Sequence, residues 1–175
     1  MRNVEQISTD RLLGYRLDRC HADLIFKMHS NERLMKTLGG IKTKSQSQEW
    51  LNTNIEHWNQ HGFGIWMFFD QVTESFIGRA GIRNIEIDSN PEVEVAYSVS
   101  PENWGKGYAT EMANSILPIA FEVVGLSELV AFTMTSHRAS RRVMEKTGFI
   151  YERDIMHSDF ACVLYRFERN AWVNR

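Results

Sequence analysis

Three features of the sequence predict a single mixed α/β domain. Residues 63–99 hold three aromatic and β-branched runs separated by short turns, the pattern of an antiparallel meander. A glycine-rich loop follows and runs into a long helical stretch. Beyond it, an apolar strand, an amphipathic helix and two more strands close the chain. The 175 residues suit one domain spanning 1–175, large enough to bury roughly 70% of its unfolded surface.

Residues 7–17 alternate loosely and predict a first strand. Residues 18–29 carry Leu24, Ile25 and Met28 at helical spacing, and Gly39-Gly40 marks a turn. Residues 47–61 place Trp50, Leu51, Ile55 and Trp58 on one face of an amphipathic helix. Residues 63–69, FGIWMFF, read as a strand, and 70–74 as a polar turn. Residues 75–87 form the next strand, Asp88-Ser89-Asn90-Pro91 a strong turn, and 92–99 the third strand of the meander. Helix is expected over 108–124 with Gly125 as its C-terminal cap. Pro118 inside it removes a hydrogen bond to the Asn114 carbonyl and should kink it. Residues 128–134 read as a buried strand and 137–147 as a helix stopped by Gly148, with Val143 and Met144 inward. Residues 149–156 and 160–167 are the last two strands.

Lys plus Arg is 20 and Asp plus Glu is 22, so the formal charge of −2 argues against a mainly electrostatic nucleic-acid binder. No window approaches 18 uninterrupted apolar residues, and the N-terminus has no apolar core of signal-peptide length. The expectation is a cytoplasmic protein with no membrane segment. Cys20 and Cys162 stand far apart, too few for a disulfide framework and without clustered histidines for a metal, so no metal is expected.

The most informative segment is the strand ending Tyr97-Ser98-Val99, followed by Trp104-Gly105-Lys106-Gly107-Tyr108-Ala109-Thr110. Glycines remove the Cβ atoms that would keep a ligand from the backbone. The first N–H groups of a helix are unpaired and sit at the positive end of its dipole, which suits a phosphate group. A nucleoside-triphosphate loop would need Ser or Thr after the lysine, and Gly107 stands there. A dinucleotide loop would need a third glycine where Thr110 stands, and a βαβ unit rather than a meander before it. A pyrophosphate loop for an acyl-CoA remains, with an ordinary glycine turn as the alternative.

Residues 104–109 resemble the Arg/Gln-x-x-Gly-x-Gly/Ala pattern of the GNAT superfamily of acetyl-CoA-dependent N-acetyltransferases, with Trp104 in place of the first Arg or Gln. The run Trp104–Glu111, WGKGYATE, resembles the branch that includes ribosomal-protein N-terminal acetyltransferases. Thr9-Asp10-Arg11-Leu12, His61–Trp66, Ile77–Gly81, Glu94–Tyr97, Ser140–Phe149 and Val163–Trp172 are similar to that branch in the same order. His137 stands where the family usually has Asn. The resemblance implies a mostly antiparallel twisted sheet of about six to seven strands flanked by about four helices. It implies acetyl-CoA as cosubstrate and direct transfer of its acetyl group to a primary amine in a ternary complex. A protein N-terminus is one such acceptor. A small amine (an antibiotic, a polyamine or an amino acid) and a non-catalytic acyl-CoA-binding module are the alternatives. A homodimer is common in similar proteins.

By the same resemblance, Tyr97, Ser98 and Val99 offer backbone groups to the pantetheine arm. Trp104, Gly105, Lys106, Gly107, Tyr108, Ala109 and Thr110 hold the pyrophosphate. His137 and Ser140 lie beside the cofactor, with Ser140 near the leaving sulfur. Glu94, on the central strand, is the leading candidate for the base, with Glu152 and His157 behind it. Tyr97 and Tyr108 are hydroxyl alternatives to Ser140. Arg138, Arg142 and Lys146 recur every four residues and could meet a cofactor phosphate. Acids gather from Glu86 to Glu94 and bases from Arg138 to Lys146, a division suited to a cationic amine and an anionic cofactor.

Overall fold

The computed structural model of the chain describes residues 4–174. In chain order its elements are β1 (Gln6–Ser8), β2 (Leu12–Arg16), α1 (Ala22–His29), α2 (Glu32–Met35), α3 (Lys44–His61), β3 (Ile65–Asp70), β4 (Phe76–Ile87) and β5 (Asn90–Val99). There follow α4 (Tyr108–Pro118), β6 (Glu128–Met134), α5 (Arg138–Lys146), β7 (Ile150–His157), β8 (Phe160–Glu168) and α6 (Arg169–Val173). Among the described residues the strands form one eight-stranded sheet in the order β1-β2-β3-β4-β5-β6-β8-β7. Every neighbouring pair is antiparallel except β5 and β6.

The strand count exceeds the expectation because residues 7–17 do not form one strand. Thr9 N donates to the Leu12 carbonyl at 2.9 Å, and its hydroxyl accepts from Leu12 N at 2.9 Å. These bonds fold the segment into a hairpin that pairs Gln6 with Tyr15. The meander reads as expected, but its turn is tighter: Ile87 pairs with Asn90, leaving Asp88 and Ser89 as a two-residue loop. Both take the left-handed backbone, φ 49° and 63°, that such hairpins require.

Helix α3 starts on a reciprocal cap, Gln46 N to Thr43 Oγ1 at 3.2 Å and Thr43 N to Gln46 Oε1 at 2.9 Å. It ends at Gly62, φ 73°. Its buried stripe is Ser47, Leu51, Asn54 and Trp58, rotated from the expected one, with Trp50 and Ile55 only half-buried. Hydropathy misses this because Ser47 and Asn54 enter the core with their polar atoms bonded, to Thr43 O and Trp50 O. The regular α-helix ends at Pro118. The helical path continues as a π-turn over Ile119–Val124, closed by Gly125 N donating to Ala120 O. The wider turn absorbs the missing N–H and buries Ile119, Ala120 and Phe121 in succession.

Antiparallel partners share a face of the sheet. Arg79 faces Ser98 and Arg83 faces Glu94, so these four side chains lie on one face. Trp50 of α3 lies over Arg79 and covers that face. Tyr97 points to the opposite face, where its hydroxyl meets Ser140 of α5. Two glycines let β3, β4 and β5 close up. A Cβ at Gly78 would run into the Ser98 carbonyl, and one at Gly81 into the Gly64 carbonyl. Both obstacles are backbone, so Gly78→Ala should cost about 3 kcal/mol, read as a lower midpoint in denaturant unfolding.

Candidate active site

β5 and β6 share a single register pair, Glu94 with Val130, and part beyond it. From Val95 to Val99 the far edge of β5 is therefore open, and its backbone groups face a crevice rather than a neighbouring strand. The crevice leads directly to the glycine loop. Gly105 and Gly107 take φ 77° and 83°, which an L side chain tolerates poorly. Nothing lies within 4 Å of a Cβ placed at Gly105, and a Cβ at Gly107 would meet only Arg11 Nη2, at 3.6 Å. Gly107 is the cap of α4 and supplies no side chain, so the first turn, Tyr108-Ala109-Thr110, presents uncapped N–H groups. This is a cradle for an anion at the positive end of a helix that packs on β4 and β5. It fits the pyrophosphate of an acyl-CoA, with the open strand edge set to receive an amide-bearing arm.

Trp104, in the place of the expected Arg or Gln, shapes this loop from outside. Its Nε1–H donates to Val99 O at 2.7 Å and its ring lies 4.8 Å from the Arg33 guanidinium. Lys106 Nζ donates to Asn103 Oδ1 at 2.9 Å. The Tyr108 hydroxyl donates to Asp70 Oδ2 at 3.3 Å. One residue that sequence reasoning left unassigned holds the loop together. Arg11 donates from Nη1 to the Lys106 carbonyl at 3.0 Å, lies 4.3 Å over the Tyr108 ring and ion-pairs with Glu111. Thr9 Oγ1 donates to the same carboxylate at 2.6 Å. The opening Thr9-Asp10-Arg11 and the helix-start Glu111, read separately in the sequence, are thus one contact.

At the fork of β5 and β6, Glu94 is buried, 5% exposed, and its Oε2 accepts from Arg83 Nε at 2.8 Å. The carboxylate beside Arg83 pushes that guanidinium's pKa up further. The other two candidate bases also have partners. Glu152 accepts from Arg166 Nε at 2.6 Å, within a cluster where Arg166 also binds Glu92 and Glu128. His157 packs against Phe132 at the β7–β8 end. The run of acids from Glu86 to Glu94 is accordingly not a free negative patch. Asp88 pairs with Arg153, Glu92 with Arg166 and Glu94 with Arg83.

Tyr97 and Ser140 form a hydroxyl pair across the crevice. Tyr97 Oη donates to Ser140 O at 2.9 Å and lies 3.0 Å from Ser140 Oγ. Burial pushes the Tyr97 pKa well up, so it keeps its proton. His137 precedes α5 and its Nδ1 meets Thr133 Oγ1 at 3.2 Å; burial lowers its pKa. Of the basic face on α5, Arg142 pairs with Glu145 at 3.5 Å and Arg141 donates to Tyr165 Oη at 3.3 Å. Arg138, Arg141, Arg142 and Glu145 line an open groove of about 260 Å³.

A second group of residues, not read as a group from the sequence, lies beneath α3. The Arg79 guanidinium sits 4.2 Å from the Trp50 ring centre, and the His29 ring meets the same indole edge-on at 5.2 Å between centroids. His29 Nε2, Arg79 Nε and Ser98 Oγ are all buried without a hydrogen-bond partner. The His29 tautomer follows from its neighbour. Ser47 Oγ spends its one proton on Thr43 O, so it accepts from His29 Nδ1–H at 3.2 Å, which leaves Nε2 a bare lone pair. Burial, then Arg79 and Lys42, lower the His29 pKa from 6.5 to about 4. His21, His57 and His137 are lowered in the same direction. Between pH 6.5 and about 4 the unfolded chain therefore binds more protons than the folded one. Stability should be full above that window and fall through it on acidification, His29 alone accounting for up to about 3 kcal/mol. Urea unfolding at stepped pH checks this, with a shallower slope expected for His29→Gln.

Fold and site together define a transferase that takes its acyl group from coenzyme A. The chain belongs to the acetyltransferase (GNAT) domain family, whose model matches residues 11–150. It is 31% identical over 151 residues to the uncharacterised protein YkkB of Bacillus subtilis, covering 86% of this chain and 88% of that one. The fold is similar to that of an acetyltransferase from Agrobacterium tumefaciens, TM-score 0.82 at 23% identity, covering 93% and 94% of the two chains. It is similar too to a RimL ribosomal L7/L12 alpha-N-protein acetyltransferase in complex with coenzyme A, TM-score 0.79 at 16% identity, covering 95% and 99%. Among the described residues no group of three His, Cys, Asp or Glu is placed to hold a metal, and no helix is long and apolar enough to cross a membrane.

Proposed function

We propose that this chain transfers the acetyl group of acetyl-CoA to a primary amine by direct attack, with both substrates bound. The observation that carries this reading is the parting of β5 from β6 after Glu94, which opens a strand edge running into the uncapped N-terminus of α4. Residues 105–110 hold the pyrophosphate through backbone N–H groups, and Arg11 keeps the loop in shape from behind. The open edge of β5 at Tyr97, Ser98 and Val99 aligns the pantetheine arm. The Val99 carbonyl already accepts from Trp104, so the arm's partners lie before it.

Bound acetyl-CoA supplies a thioester with an electrophilic carbonyl carbon and a thiolate leaving group. Glu94 takes a proton from the acceptor ammonium, directly or through water, freeing the nitrogen lone pair. That nitrogen attacks the carbonyl carbon, the C–N bond forms, the C–S bond breaks, and the second proton shed by nitrogen passes through water to restore the hydroxyl that protonates the sulfur. A backbone N–H of β5 stabilises the oxygen charge that builds up. The Tyr97–Ser140 hydroxyl pair supplies the proton to the departing sulfur, and both hydroxyls are protonated at neutral pH. Holding the reactants together supplies much of the acceleration, so no covalent enzyme species is required. Cys20 is exposed and Cys162 buried, and neither enters the scheme. An N-terminal α-amine is the first acceptor class and a small amine the second.

Calorimetric titration with acetyl-CoA, followed by thiol release against a panel of amines and N-terminal peptides, tests the reading. Binding with release above background for at least one acceptor is the expected result. Binding with no release for any of them makes the chain an acyl-CoA-binding module instead.

A further inference from the structure

The unpartnered atoms under α3 form a set with a definite chemical complement. Arg79 Nε–H is a donor, Ser98 Oγ–H is a donor, and His29 Nε2 is an acceptor. Arg79 and Ser98 are register partners on neighbouring strands, so their side chains stand side by side on one face. Arg79 and His29 both lie against Trp50. Buried polar groups in native proteins nearly always find partners, and three orphans, two of them against one tryptophan and the third the register partner of Arg79, need an explanation.

Charge points the same way. Arg79, Arg83 and Lys42 bring positive charge to this face of the sheet. His29 is neutral at pH 7. The nearby carboxylate, Glu94, is bonded to Arg83. Among the described residues Arg79 has no ion-pair partner, and its pKa is lowered to about 9, by burial first and then by Arg83, so it remains a cation at neutral pH. A sheltered guanidinium without a counter-ion is costly to keep unless a ligand provides one.

We propose that the acceptor amine carries a carboxylate, and that Arg79 and Ser98 receive this carboxylate beneath Trp50 while His29 Nε2 accepts from the acceptor's N–H. This deepens the transferase reading and rests on it. The site then favours a zwitterionic acceptor over a polyamine, whose extra positive charge would meet Arg79, and over a neutral amine, which would leave Arg79 unpaired. Two sources present this chemistry: the α-carboxylate of a free amino acid, and an acidic side chain near the start of a peptide.

The test is thiol release from acetyl-CoA at saturating cosubstrate with matched acceptors. One arm compares L-alanine, L-leucine, L-phenylalanine and L-glutamate with their carboxamides and with spermidine. The other compares Ala-Asp and Ala-Glu peptide amides with the Ala-Asn and Ala-Gln counterparts. In one of the two arms kcat/KM should favour the carboxylate by about thirtyfold or more, the scale of a buried charge-assisted pair. Arg79→Gln should erase that preference and Arg79→Lys retain part of it, with KM for acetyl-CoA unchanged in both. Ser98→Ala should weaken it by several-fold, at about the scale of one lost hydrogen bond. This variant keeps the test alive if Arg79→Gln fails to fold. Equal or better turnover of the amides or spermidine overturns the inference and leaves the transferase reading standing. So does a rise in acetyl-CoA KM with no change in acceptor preference. No release from any acceptor, with acetyl-CoA bound, overturns both.

Discussion

Glu94→Gln should lower kcat by about a hundredfold or more at pH 7, the usual worth of a positioned base, with the deficit shrinking as pH rises. The substitution is well suited to isolate basicity. Arg83 Nε donates to one carboxylate oxygen at 2.8 Å, and the amide oxygen of Gln accepts the same bond. The side chain keeps its volume in a buried position. What disappears is the capacity to take a proton. Below the acceptor's own pKa the free amine fraction grows about tenfold per pH unit, so solvent does progressively more of the work that Glu94 does at pH 7. A variant whose pH–rate profile runs parallel to the wild type removes Glu94 as the base.

Gly107→Trp should weaken acetyl-CoA binding by about a hundredfold or more, because loss of several backbone contacts to a doubly charged group is worth several kcal/mol. The side chain would stand on the exposed lip of the loop, in front of the first N–H groups of α4. It would also force an L residue into φ 83°, at a cost of about 1–2 kcal/mol. That strain falls on a solvent-exposed turn, so far-UV circular dichroism should be retained. Gly107→Ala separates the two effects, since it carries the strain without the bulk. A folded Gly107→Trp protein with unchanged affinity would put the pyrophosphate elsewhere.

The family fold was legible because its signals are local. Alternation across residues 63–99 and the glycines at 105 and 107 each act within a few residues, whereas the reciprocal cap at Thr43 that starts α3 three residues before the expected position goes unread. The first strand reads as unbroken in the sequence because two bonds, Leu12 N to Thr9 Oγ1 and Thr9 N to Leu12 O, decide between a strand and a hairpin. The four-residue helix Glu32–Met35 is too short for any periodicity to mark it. Within the site, Glu94 stood out as an acid on the central strand, but its partner Arg83 shows only in the β4–β5 register. Arg79 and His29, and the side chain of Ser98 as distinct from its backbone, are hidden for the same reason. Each is unremarkable in its own stretch, and the set arises from two strands and two helices brought together by the fold. The resemblance named the place of Ser140, whereas its bond to Tyr97 joins residues 43 positions apart.

With the pyrophosphate in the glycine loop as proposed, the grip of Arg11 and Thr9 on Glu111 makes the amino-terminal hairpin part of the cofactor's binding equilibrium. Coupling of this kind is reciprocal. Whatever acetyl-CoA gains from a loop held in shape, the β1–β2 hairpin must gain in resistance to opening when acetyl-CoA is present. Amides of residues 6–16, which touch no ligand, should exchange with solvent deuterium more slowly in its presence. Arg11→Ala should abolish that protection and raise the KM for acetyl-CoA, leaving the acceptor KM alone. The hairpin would then serve as a gauge of occupancy, readable at a distance from the chemistry.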